Sequence, residues 1–154
     1  MQVSEIMNRR FHFVQPDTPI REVQYLMLRS RQGYMIVVNG DEENLVGILT
    51  PSDIFRRLLP SQEEFMQKQE RRLVDGFSIE DYRRVSELPA REIMTKNPLT
   101  IRPQMSIIRA GALMNARRFK HLPVVENNRL IGVLHQSDIH VALLLGLGTF
   151  EKPV

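Results

Sequence analysis

The sequence predicts an α+β protein made of two copies of one β-α-β-β-α unit. The first observation is a repeat: Leu45–Ile54 (LVGILTPSDI) returns 85 residues later as Leu130–Ile139 (LIGVLHQSDI). The second is register. Residues 5–38 superimpose on 92–125 at an offset of 87, so Glu5-Ile6-Met7 falls on Glu92-Ile93-Met94 and Val37-Val38 on Val124-Val125. The third is that each copy shows the same succession of apolar periods, from extended to helical and back.

Each element follows from local pattern. A short extended piece comes first, Phe11–Gln15 or Leu99–Arg102. A helix then begins near Thr18, with Pro19 suited to the first helical position. Ile20, Val23, Leu26 and Met27 lie on one face by their spacing of three and four, as do Ile107, Ala110, Leu113 and Met114 in the second copy. Two β-type runs follow across a polar turn: Tyr34–Val38 with Leu45–Thr50, and His121–Val125 with Leu130–His135. The loop Asn39–Asn44 is two residues longer than its counterpart. Last comes a helix opened by the Ser-Asp turn, with Ile54, Leu58 and Leu59, or Ile139, Leu143 and Leu144, expected inward. One unit of about 55 residues buries little apolar surface, so two copies are expected to pack about a pseudo-twofold axis, creating two related clefts.

These boundaries divide the chain into a first repeat (1–59), a charged helical insert (60–88), a second repeat (89–147) and a C-terminal tail (148–154). The insert has no partner in the repeat. Ser61-x-x-Glu64 reads as a capping box, Asp75-Gly76 as a break, and Ser78 as a second cap. Two readings of it stay open: a linker extending the preceding helix, or a docking arm using Phe65, Met66, Leu73, Val74, Phe77 and Tyr82.

Composition sets limits. The 154 residues include no Cys, which removes disulfides, thiol nucleophiles and thiolate metal sites. No apolar run approaches the roughly 20 residues of a membrane span, and the N-terminus lacks a signal-peptide layout, so a cytoplasmic protein is expected. The net charge of +3 comes from small scattered basic groups such as Arg56-Arg57 and Arg117-Arg118 rather than the basic face of a nucleic-acid binder. No Gly-rich phosphate loop, His-Glu-x-x-His or serine nucleophile motif is present, so no catalytic residue is assigned. His135, Asp138 and His140 fall at i, i+3 and i+5, which do not share one helix face, so no metal site is assigned. Met7, Met27, Met35, Met94, Met105 and Met114 occupy apolar positions and are expected in the core.

The two halves resemble cystathionine-β-synthase (CBS) domains, and the tandem resembles the paired unit called a Bateman module. The carrying residues are Glu92–Ile101 (EIMTKNPLTI), Lys120–Glu126 (KHLPVVE) and Leu130–Leu134 (LIGVL) with Ser137-Asp138. Their partners in the first copy are Glu5-Ile6-Met7, Met35–Val38 and Leu45–Asp53 (LVGILTPSD). The resemblance implies a regulatory module that binds an adenine nucleotide or adenosyl compound between the repeats. It implies that the Asp of each Thr/Ser-x-x-Asp turn holds the ribose hydroxyls and that a residue before the second strand reaches the phosphate.

Carried onto this chain, cleft A combines Thr50 and Asp53 with Leu99, Thr100, Ile101, Phe119, Lys120, His121 and Pro123. Lys120 and His121 are expected to supply positive charge for a phosphate. Cleft B combines His135 and Asp138 with His12, Phe13, Val14, Gly33, Tyr34 and Ile36. It departs from the family pattern, because His135 stands where Thr or Ser is usual and Ile36 stands in place of Pro. A carboxylate at a helix start can accept from two adjacent hydroxyls, and Thr50, three residues earlier, can add a third contact. The same position also suits an ordinary N-cap formed by Ser52 or Asp53. The expected ligand is AMP, ADP or ATP, with no cofactor. The expected partners are a second copy of the chain and a regulated protein. The alternatives are a ligand-free interaction scaffold and a nucleic-acid-binding member of the family.

Overall fold

The computed structural model describes residues 1–41, 44–59, 63 and 79–146. The predicted caps and break at Ser61, Glu64, Asp75, Gly76 and Ser78 and the tail 148–154 lie outside them. The elements in order are α1 (Val3–Ile6), β1 (Phe13–Val14), α2 (Ile20–Ser30), β2 (Met35–Val38), β3 (Leu45–Leu49), α3 (Pro51–Leu58), α4 (Ile79–Glu87), β4 (Thr95–Lys96), α5 (Ile107–Arg117), β5 (His121–Glu126), β6 (Arg129–His135) and α6 (Gln136–Gly146). A 3₁₀ turn, Ala90–Glu92, precedes β4. The fold is α+β, as the repeat predicts. No described helix is long and apolar enough to cross a membrane.

The chain forms two compact units: His12–Pro98, and Met1–Phe11 with the chain from Leu99 onward. These units do not coincide with the sequence repeats. Each repeat's Glu-Ile-Met leader belongs to the unit that carries the other repeat's sheet. The exchange has a visible cause. In the His12–Pro98 unit, a Cβ on Gly47 would lie 2.3 Å from the Met94 sulfur. In the other unit, a Cβ on Gly132 would lie 2.8 Å from the Met7 sulfur and 3.1 Å from the Asn8 carbonyl oxygen. The glycine of each Leu-x-Gly-x-Leu strand is thus the gap into which the exchanged methionine fits.

The His12–Pro98 unit holds a four-stranded sheet of order β1-β2-β3-β4. β1 pairs parallel with β2, and the remaining pairs are antiparallel. All four β2 residues are buried. Met35 and Val37 form a core with Ile20, Val23 and Met27 of α2, and with Val14, Leu49, Ile54 and Ala90. Burying an aliphatic side chain of this size contributes about 1.5–3 kcal/mol, so the helix owes its place to this face. Pro19 is the N-cap of α2 rather than its first helical residue, and it offers no side-chain cap. The helix ends at Arg31 in the left-handed conformation.

The second unit repeats this logic. β5 and β6 form an antiparallel hairpin closed by Asn127-Asn128, both with positive φ, as a tight two-residue turn demands. The extended piece predicted at Leu99–Arg102 is reduced to a parallel bridge between Ile101 and Val124. α5 is capped by the Ser106 hydroxyl, which accepts from the Arg109 N–H, and it ends at left-handed Arg118, the repeat partner of Arg31. Each hairpin also carries a β-bulge at the equivalent place, Val37/Val38 and Val124/Val125.

The methionines behave as expected. Met7, Met27, Met35 and Met114 are buried, and Met94 and Met105 pack against the cores. One expectation about the last helices is corrected. Leu59, Leu143 and Leu144 are exposed, and the inward face of α6 is formed by Ile139 and Ala142. Leu59 is the C-cap of α3, beyond its buried face, and in α6 apolar residues recur on every side of the helix among Asp138 and His140, so periodicity alone could not choose the buried side.

Candidate functional site

The candidate site is built where β3 runs into α3. The predicted cap is corrected here: Thr50, not Ser52 or Asp53, is the N-cap, with Pro51 in the first turn and Asp53 at the third helical position. The Asp53 side chain folds back on the turn. Its Oδ2 accepts from the Thr50 N–H at 2.7 Å and from the Thr50 hydroxyl at 3.0 Å. Its Oδ1 forms an ion pair with the Arg56 guanidinium, one turn along the helix. Asp53 is only 9% exposed and sits at the positive end of a helix. A carboxylate held this way is a fixed acceptor whose orientation does not have to be paid for when a donor arrives.

Beside it lies an open depression of about 350 Å³, lined by Asp53, Arg56, Arg57, Glu92, Ile93 and Thr95. A volume of this order falls at the lower end of ligand-site sizes. Arg56, Arg57, Glu92, Ile93 and Thr95 were not among the site residues expected from the sequence. The spacing of Arg56, three residues after Asp53 on a helix, was a usable signal for the ion pair. The approach of Glu92 and Thr95 depends on the leader exchange and had no local signature.

The equivalent turn in the other unit joins β6 to α6. Here the His135 N–H donates to Asp138 Oδ2 at 3.0 Å, so the backbone half of the arrangement is kept. The hydroxyl half is replaced by an imidazole. His135 Nδ1 accepts from the Ser137 N–H at 3.0 Å and also meets the Ser137 hydroxyl. His135 faces His121 directly across the hairpin, with ring centroids 4.4 Å apart. Burial pushes the His121 imidazole down to about 4, helped by repulsion from His135 and Lys120. This corrects one expectation. At neutral pH His121 is uncharged, so among the two basic residues predicted for cleft A only Lys120 brings positive charge.

The other predicted residues are distributed as follows. Thr50 and Asp53 belong to the His12–Pro98 unit, whereas Leu99, Thr100, Ile101, Lys120, His121 and Pro123 belong to the second unit. Leu99, Thr100 and Lys120 are exposed, and Ile101 and Pro123 are buried. The Ile101 N–H donates to the Pro123 carbonyl, and the Ile101 carbonyl accepts from the Val125 N–H, so this backbone is committed to sheet pairing. Of the cleft B set, His135 and Asp138 come together in the second unit, and His12, Val14 and Tyr34 lie in the first. His12 is exposed, and its backbone is held at both ends by the Gln32 amide. Val14 and Tyr34 are buried. Among the described residues no group of three or more His, Asp or Glu is arranged to hold a metal ion.

A duplicated strand-turn-helix with a carboxylate at each turn, on two α+β units, defines a tandem-repeat architecture. The model of the CBS domain matches residues 3–60 and 90–145, and the chain belongs to the CBS domain family. An uncharacterised protein of Rickettsia prowazekii is 28% identical over 126 residues, which is 82% of this chain and 32% of that protein. The chain therefore spans about a third of the length of that relative. Among solved structures, Arabidopsis thaliana CBSX2 in complex with AMP is 22% identical. It superimposes with a TM-score of 0.72 over 95% of this chain and 98% of its own. The CBS domain pair of protein MJ0100, in complex with 5′-methylthioadenosine and S-adenosyl-L-methionine, is 19% identical, with a TM-score of 0.67 over 93% and 99%. At these identities the likeness shows the fold.

Proposed function

We propose that this chain is a regulatory, non-catalytic module of the cytoplasm that binds an adenine nucleotide, with Asp53 as the acceptor for the ribose hydroxyls. The observation that carries the reading is the Thr50–Asp53 turn, a buried and oriented carboxylate opening onto a depression large enough for part of a nucleotide. Neighbouring folds that hold AMP or adenosyl compounds support it. Asp138 is the proposed acceptor of a second, less complete site.

Regulation then rests on differential affinity. A ligand shifts the protein between two arrangements only by as much as it binds one better than the other. We also assign the chain a homodimeric state and a regulated protein partner. The exposed apolar residues Tyr25, Leu28, Phe55 and Val141 are consistent with surfaces that become covered.

Calorimetric titration of the full chain with AMP, ADP and ATP tests the reading. Saturable binding is expected, weakened at least tenfold in Asp53→Asn. No heat at millimolar ligand, or unchanged affinity when Asp53→Asn and Asp138→Asn are combined, would sink it. Light scattering on the same samples measures the oligomeric state, and a monomer at micromolar concentration would contradict the dimer.

A further inference from the structure

We propose that Arg56 makes the Asp53 site selective for phosphorylated ligands, by exchanging Asp53 for a ligand phosphate as its ion-pair partner. The inference rests on Asp53 being the ribose acceptor.

Asp53 offers two oxygens. Oδ2 is taken by the Thr50 N–H and hydroxyl of its own turn. Oδ1 faces Arg56 and is taken by its guanidinium. A ribose diol that seeks Oδ1 must therefore displace a charged donor. The two ends of this pair differ in freedom: the Asp53 side chain is 8% exposed and the Arg56 side chain 72%. The carboxylate stays and the arginine is the part that moves.

An uncharged adenosyl ligand leaves the displaced guanidinium without its anion. A nucleotide brings a replacement. Arg56 lines the same depression as Asp53, with Arg57 beside it, so a phosphate seated there can take the fork-shaped donor set that Asp53 gives up. Glu92 is the second carboxylate of the depression. It competes with the phosphate for the released arginine and so sets how large the discrimination is.

The repeat supplies an internal control. The offset of 85 places Val141 and Ala142 where Arg56 and Arg57 stand. The Asp138 turn thus has no arginine of its own on the following helical turn, and no such exchange can occur there. The two sites are therefore unequal in ligand class: the Asp53 site discriminates by charge, and the Asp138 site accepts charged and uncharged adenosyl ligands alike.

AMP and adenosine, which share base and diol, are the probes. They are titrated calorimetrically into the full chain carrying Asp138→Asn, so that the Asp53 site is read alone. AMP is expected to bind at least tenfold more tightly than adenosine. Adding Arg56→Gln is expected to weaken AMP and tighten adenosine, each by about threefold, since exposed ion pairs contribute modestly. Arg56→Lys is expected to fall between the two. In the reciprocal chain carrying Asp53→Asn, Val141→Arg is expected to introduce a preference for AMP. Equal weakening of both probes by Arg56→Gln, or no change in either, overturns the inference while the ribose assignment stands. Failure of both probes to bind the unsubstituted chain overturns the adenosyl reading and the exchange with it.

Discussion

Asp53 and Asp138 end the same kind of strand, open the same kind of helix and accept from the backbone N–H three residues before them. They differ in what completes the turn. Asp53 is closed by a threonine hydroxyl and an arginine. Asp138 is flanked by a histidine whose ring nitrogen is occupied by Ser137 and whose ring faces a second, uncharged histidine. Duplication preserved the backbone geometry, and the side chains around it diverged. Binding chemistry therefore cannot be transferred from one copy to the other, even where ten residues read almost alike.

The comparison extends to the glycines, where the largest effect is expected. Gly47→Val should cost about 2–3 kcal/mol, because overpacking forces Met94 out of its gap. Chemical denaturation measures it, and Met94→Ala in the same chain should recover most of the loss. At Gly132 the neighbours include the Asn8 carbonyl, which cannot be truncated, so Met7→Ala should rescue Gly132→Val much less completely. Equal rescue at both sites would show that the two gaps are the same after all.

Next comes the ligand. Asp53→Asn should weaken AMP at least tenfold, about 1.4 kcal/mol, and Asp138→Asn by a smaller factor in the same titration. The reverse ranking would assign the better site to the histidine-bearing turn.

A pH effect separates the turns further. The folded imidazole of His121 titrates at about 4 and the unfolded one near its ordinary value, so between these limits the unfolded chain holds the extra proton. The contribution of His121 to stability is then fully present above pH 6.5 and is lost as the pH drops toward 4. With the ring partly solvated, the loss by pH 4.5 should be about 1 kcal/mol. Comparing denaturation midpoints at pH 7 and 4.5 for the native chain and His121→Gln checks this. An identical decline in both would remove His121 as the cause.

The smallest expected effect is at the helix starts. Ser106→Ala should cost about 0.5–1 kcal/mol by removing the cap of α5. The N-cap of α2 at Pro19 makes no side-chain bond to lose.

Much of the fold was legible in the residues. The helical face Ile20, Val23 and Met27 and the hairpins follow from period and composition, which act over one element at a time, whereas the cap fell on Thr50 rather than on the expected Ser52 or Asp53. The buried side of α6 was not legible, because apolar residues recur on every side of it. The charge on His121 was not legible either, because burial and the facing His135 depend on strand register.

By itself the sequence determined the duplication, the order of strands and helices, and the presence of a carboxylate at both turns, since each is written in contiguous residues. Tertiary structure alone decided two things. Each Glu-Ile-Met leader fills the glycine gap of the other repeat's strand. Glu92 and Thr95 come to line the depression beside Asp53. Packing vacancies and long-range approach are properties of the folded chain, and no local pattern carries them.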